Sequence, residues 1–178
     1  MGDVRPVESA VLVAGVLYRD DAVLSEAERL MADTFGPIAL AGRPFDFIMT
    51  DYYTDEMGAG LTKKFIAFER LILPDFLPRA KHETNKIENV LGRAADGRFR
   101  RTVNIDPGYV TLAKLVLAST KDYSHRLYIG DSIYAEVTLR YEKQTFYVID
   151  TTYPDYQTPL AIDFFNAVRE YLKQARRT

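Results

Sequence analysis

Apolar residues run almost unbroken from Ala10 to Tyr18, and a run of that length rich in Val and Leu predicts a buried strand. The period then changes. Val23, Ala27, Leu30, Met31 and Thr34 recur at helical spacing behind the candidate N-caps Asp20 and Asp21, with Ser25 and Glu28 as a competing capping box. Gly36-Pro37 ends that helix. Phe45 to Met49 and Lys64 to Ile72 read as strands, separated by the polar stretch Thr50 to Gly60. A second helix follows Pro74-Asp75, with Leu77, Ala80, Thr84, Ile87 and Leu91 on one face and Gly92 as its stop. Ala94 to Arg100 reads as a charged loop around Asp96-Gly97, and Arg101 to Ile105 as a strand.

Asp106-Pro107-Gly108 then suits a type II turn. Val110 to Ser119 fits either a strand or a short helix capped by Thr111; the spacing of Leu112, Leu115, Val116 and Ser119 favours the helix. Arg126 to Ile129 and Ile133 to Tyr141 read as a hairpin about Gly130-Asp131-Ser132, with Thr145 to Ile149 as a further strand. Thr158 caps a last helix with Pro159 at its first position. Its stripe is Ala161, Phe164, Phe165, Val168 and Leu172, and Lys173, Arg176 and Arg177 sit near its C-terminus. The order is β-α-β-β-α-β, then a β-meander and a closing helix. It predicts an α+β fold with a ferredoxin-like core in one globular domain, residues 1–178.

Composition narrows the partners more than the fold. A net charge of −2 with interspersed signs gives no electrostatic reason to expect DNA or an anionic membrane. The absence of cysteine excludes disulfides, thiolate zinc sites and thiol catalysis. The Val11 to Tyr18 run is too short to span a bilayer, and no cleavable leader is read, so a cytoplasmic location is expected.

Chemistry-bearing residues concentrate between Arg101 and Tyr156. Lys121, Asp122, His125 and Arg126 crowd one loop. There Lys and Arg can clamp an anion, and His125 can move protons when oriented by Asp122 or another carboxylate. Arg101 is a further anion-binding candidate. Asn104, Asp106 and Tyr109 flank the Pro-Gly turn, where Asp106 suits either a ligand or its own turn. Strand alternation puts Tyr134, Glu136, Thr138 and Arg140 on one face, which is either solvent-facing or the floor of a site. Tyr153-Pro154-Asp155-Tyr156 forms a stiff turn whose rings either stack on a ligand or cover the core edge. The catalytic candidates are therefore His125, Asp122 and Glu136. The ligand-binding candidates are Arg101, Asn104, Asp106, Tyr109, Lys121, Arg126, Tyr153 and Asp155. The chain holds only His82 and His125, with no paired-His spacing, so no metal ligands are assigned and the cofactor is left open.

Taken together, Asp51-Tyr52-Tyr53, Glu56-Met57-Gly58, Asn104-Ile105-Asp106-Pro107-Gly108-Tyr109, Thr120-Lys121-Asp122-Tyr123-Ser124-His125-Arg126, Tyr134-Ala135-Glu136-Val137-Thr138 and Tyr153-Pro154-Asp155-Tyr156 resemble a bacterial and archaeal family known as domain of unknown function 4416. The resemblance covers nearly the whole chain and implies a short single-domain protein. It transfers no catalytic residues. Some members carry the label GTP-binding protein, yet the string G-x-x-x-x-G-K-[ST] that wraps phosphates is absent here. Gly58-Ala59-Gly60 lacks the third glycine of a dinucleotide fingerprint.

The residues favour a protein that binds a polar, anionic small molecule, such as a nucleotide or phosphate ester, and leave turnover open. The rival is a non-catalytic RNA- or protein-interaction module using Tyr128, Tyr134, Tyr141 and Tyr147. A third reading is a homo-oligomer joined through an aromatic surface.

Overall fold

The computed structural model describes residues 2–95 and 97–177; Asp96, at the centre of the charged loop read from the sequence, lies outside the described residues. The strands are β1 (Ala10–Tyr18), β2 (Ile38–Ala41), β3 (Phe45–Asp46), β4 (Thr62–Ile72), β5 (Arg93–Ala95), β6 (Arg98–Arg100), β7 (Val103–Val110), β8 (Lys114–Ser119), β9 (Leu127–Gly130), β10 (Ile133–Glu142) and β11 (Thr145–Val148). The α-helices are α1 (Asp21–Phe35), α2 (Thr54–Met57), α3 (Leu77–Leu91) and α4 (Pro159–Ala175). Mixed helix and antiparallel sheet make this an α+β protein. The main sheet runs β11-β10-β8-β7-β1-β4-β2, every neighbouring pair antiparallel, with β3 added to β4 and β9 to β10.

Local chemistry sets the helix ends. Asp20 accepts the Ala22 N–H at 2.8 Å, and Gly36 ends α1 with φ of 99°. Thr158 accepts from Ala161 N–H to start α4, with Pro159 just inside.

The central strand β1 is buried along its whole length because both faces are covered. Leu12, Ala14, Val16 and Tyr18 face a cluster with Leu24, Ala27, Met31 and Phe35 of α1 and Ala80 and Ile87 of α3. Val11 and Val13 face the opposite cluster, built on α4 with Phe164, Phe165, Val168 and Leu172. There the Phe65 ring lies 4.9 Å from Tyr156, 5.9 Å from Phe164 and 5.1 Å from Phe165. Each such aromatic pair adds about 0.5–1.5 kcal/mol beyond its buried area.

Four local expectations change. Val110 to Ser119 is not helical: a turn at Thr111 leads into β8, whose Leu115 to Ala118 are all buried between β7 and β10. Burial on both faces suits β-branched and apolar residues and overrides the helical spacing. Asp106-Pro107-Gly108 is not a turn but the interior of β7, paired with Gly15, Ala14 and Val13. The strand read over Phe45 to Met49 shortens to β3, with β2 added before it. The charged loop becomes the β5–β6 hairpin. The hairpin about Gly130-Asp131-Ser132 forms with φ of 51° at Asp131 and 60° at Ser132. Positive φ at both central residues is the geometry of a tight two-residue turn. Among the described residues no helix is long and apolar enough to cross a membrane.

Candidate functional site

β7 and β8 pair only where Gly108, Tyr109 and Val110 meet Leu117, Val116 and Leu115. A Cβ at Gly108 would stand 2.5 Å from the Val116 carbonyl oxygen, so glycine lets the strands close at this point. Beyond it they part. Val103 to Pro107 pair only with β1, while Ala118 and Ser119 pair only with β10. The free edge of β7 is satisfied by α3 instead. Ile105 N–H donates to Glu88 Oε1 at 2.7 Å, and Lys81 Nζ donates to the Ile105 carbonyl at 3.1 Å. Alternation points Pro107 N toward the same edge, so its missing N–H removes no strand-to-strand bond.

A cavity of about 720 Å³ opens in this split. Its floor is Leu17 of β1, Lys63 of β4, Asn104 and Asp106 of β7, Leu117 of β8 and Glu136 of β10. One wall is α3, through Lys81, Asn85, Glu88 and Asn89. The second is the Phe47 to Tyr53 segment, the third the Ser119 to Arg126 loop, and the fourth the Tyr153 to Tyr156 turn before α4. Lys121 Nζ donates to Tyr52 Oη at 3.0 Å and lies 4.8 Å from that ring, so two walls touch at the mouth.

Residues 8–171 match a family described as a domain of unknown function, DUF4416. The chain belongs to the DUF4416 family. No curated protein and no solved structure matches it. The segments that carry the DUF4416 resemblance supply much of the cavity wall: Tyr52 and Tyr53, Asn104 and Asp106, Thr120, Lys121, Tyr123 and Arg126, Glu136, and Tyr153 to Tyr156.

Two polar relays hold this DUF4416 site. In the first, Arg101 forks onto Glu56 (Nε to Oε1 2.9 Å, Nη2 to Oε2 2.7 Å), and its Nη1 donates to Asn104 Oδ1 at 2.8 Å. Asn104 Nδ2 donates in turn to Asp106 Oδ2 at 2.8 Å. Asp106 then stands between two ammonium groups, Lys63 at 3.8 Å and Lys81 at 3.5 Å, and Lys63 also lies 3.1 Å from Asp155. In the second relay all five Arg126 N–H groups are used. Nε and Nη2 donate to Glu136 Oε1 at 3.2 and 3.1 Å, Nη1 to Ser119 Oγ and the Lys121 carbonyl, and Nη2 also to Tyr153 Oη. His125 Nε2 approaches Glu136 Oε2 to 2.8 Å, yet no aligned hydrogen bond reaches that buried oxygen.

Of the residues singled out in the sequence, Arg101, Asn104, Asp106, Lys121, Arg126, Glu136, Tyr153 and Asp155 line the cavity. Three do not. Tyr109 sits at an odd position of β7 and packs on the α3 face. Asp122 is exposed outside the lining. His125 reaches the cavity only through Glu136. Arg101 and Arg126, read as anion clamps, are committed to Glu56 and Glu136. Lys81, Asn85, Glu88 and Asn89 were missed. Their signal was a polar row at i, i+4, i+7 and i+8 beside the apolar stripe of α3.

Electrostatics separates these groups. Burial pushes the Asp106 carboxyl up, but Lys81, Lys63 and the Asn104 amide outweigh it and hold it below the ordinary 3.8. Burial raises the Glu88 carboxyl despite Lys81, the Ile105 N–H and Arg101. Burial pushes the Tyr153 phenol up to about 12, helped by Glu136, and lifts Tyr156 well above 10, helped by Asp155 and Asp106. At the mouth the hydrogen bond from Lys121 lowers Tyr52. Among the described residues no three His, Asp or Glu side chains are grouped to hold a metal ion.

Proposed function

We propose that this protein binds a polar, anionic small molecule, of the nucleotide or phosphate-ester class, in the split between β7 and β8, and that its 178 residues act as one domain. The observation that carries the reading is the cavity itself. About 720 Å³ falls within the roughly 300–1,000 Å³ usual for ligand sites, and its aromatic walls surround a few buried charged groups. Of the cations read from the sequence as anion-binding, Lys121 keeps that part at the mouth, because Arg101 and Arg126 are already paired with Glu56 and Glu136. We further infer a ferredoxin-like core, supported by the β1-α1-β2-β4-α3-β7 succession and the strand order β7-β1-β4-β2.

A thermal-shift screen against nucleotides and phosphate esters tests the binding reading. A ligand at a hundred times its dissociation constant stabilises by about 2.7 kcal/mol, or about 5–11 °C for a chain of this size. The double variant Tyr52→Ala/Lys121→Ala alters only exposed side chains and should reduce a hit without lowering the melting point of the free protein. No shift with any compound would remove the reading.

The rival, an RNA- or protein-interaction module, draws on the exposed Leu127 and Tyr128 of β9. Its aromatic platform is incomplete, because Tyr141 is covered by Arg169 and Phe146. Salt-dependent RNA binding would favour this rival.

A further inference from the structure

Resting on the small-ligand reading, we infer that the cavity orients its ligand: a neutral, hydroxyl-bearing part sits on the Lys63–Tyr156 floor, and the anionic group stays at the mouth beside Lys121. For a nucleotide this means the nucleoside inward and the phosphate outward.

The floor has the donors and acceptors for a hydroxyl but not the charge for a phosphate. Tyr156 is 2% exposed, lines the cavity, and among the described residues its hydroxyl has no hydrogen-bond partner. An unsatisfied buried hydroxyl is unfavourable unless a ligand or water supplies the missing partner. Lys63 Nζ converges on the same spot. A Cβ at Gly15 would stand 2.6 Å from Tyr156 Oη and 3.1 Å from Lys63 Nζ, so the absence of a side chain there leaves room for both. The two nearest carboxylates, Asp106 and Asp155, can accept from a ligand hydroxyl.

The charges at this depth cancel, with Lys63 and Lys81 set against Asp106 and Asp155. A phosphate dianion entering here would meet two carboxylates, a repulsion that burial strengthens. A sugar hydroxyl would donate to one carboxylate and accept from the phenol or the ammonium. Burial beside Asp155 and Asp106 keeps that phenol protonated and able to donate.

The mouth is different. Lys121 is exposed and bonds Tyr52 Oη; among the described residues no carboxylate lies within ion-pair distance of it. The Tyr52 ring lies 4.8 Å from the Lys121 ammonium, and Tyr53 and Tyr123 line the same cavity.

The experiment is calorimetric titration of the full chain with matched nucleosides, nucleoside monophosphates and inorganic phosphate. The wild type is compared with Tyr156→Phe and Lys121→Ala. A nucleoside should bind alone and its monophosphate several-fold tighter, with Lys121→Ala abolishing that difference and sparing the nucleoside. Tyr156→Phe should weaken nucleoside and nucleotide alike, by about three- to tenfold, and leave their ratio intact. It should not lower the melting point of the free protein, because its hydroxyl has no partner to lose. Competition by inorganic phosphate, with the ratio unchanged in Lys121→Ala, would put the anion on the floor and overturn the orientation while sparing the ligand reading. No binding of nucleosides or nucleotides at millimolar concentration would overturn both.

Discussion

Arg126→Met should destabilise the fold far more than a typical single substitution. Arg126 and Glu136 are 8% and 4% exposed, and Glu136 Oε1 receives both of its hydrogen bonds from Arg126. Removing the guanidinium takes away both aligned hydrogen bonds of the buried Glu136 carboxylate, leaving the His125 ring 2.8 Å from Oε2, and also releases Ser119 Oγ, the Lys121 carbonyl and Tyr153 Oη. Breaking a buried pair in this way costs about 3–5 kcal/mol. For a chain of this length that is about 6–20 °C in melting temperature. Urea unfolding followed by circular dichroism at pH 7 gives the free energy directly. Glu136→Leu alone should be comparably harmful, since it strands the guanidinium. The double variant Arg126→Met/Glu136→Leu should cost much less than the sum, because neither charge is left buried without its partner. A loss under about 1 kcal/mol for Arg126→Met, or strict additivity in the double variant, would refute the claim that these charges serve each other.

Two further outcomes follow from the strand geometry and the floor charges. Gly108→Ala should cost about 1–3 kcal/mol in urea unfolding, because its methyl meets the Val116 carbonyl where β7 and β8 close; wild-type stability would show that the strands have room to separate there. Asp106 has a folded pKa below its ordinary 3.8, so its contribution is present above that value and is lost as pH falls through the folded pKa. Asp106→Asn should therefore be less stable than wild type at pH 5–7, with the gap closing below about pH 4; a gap independent of pH would contradict the ion pairs with Lys81 and Lys63.

The elements that carry their own signals were legible in the chain. The unbroken apolar run of β1, the Asp20 and Thr158 caps, the Gly36 and Gly92 stops and the stripe of α4 all depend on neighbours close in sequence. β7 and β8 were harder because their conformation is decided by distant partners. Pro107-Gly108 has the chemistry of a turn, yet the proline sits on an edge with no facing strand and the glycine sits where two strands touch. The site divides in the same way. Polar residues beside turns, such as Lys121, Tyr153 and Asp155, stood out. Lys81 and Glu88 look like an ordinary solvated helix face until the split in the sheet turns them inward. The arginines misled for a related reason: sequence shows the cation but not the carboxylate, 45 positions away for Arg101, that already occupies it.

The Ile105 amide has a consequence for observation. A strand N–H normally meets a carbonyl, whose charge is fixed, whereas this one meets the Glu88 carboxylate, whose charge titrates. Its proton therefore works as a resident spectroscopic probe. In an amide correlation spectrum its resonance should move as Glu88 gains a proton, while neighbours bonded strand to strand stay still. Glu88 and Lys81 both line the cavity, so an occupant beside them should displace the same signal. A single resonance would then report that the space is filled before the identity of what fills it is known.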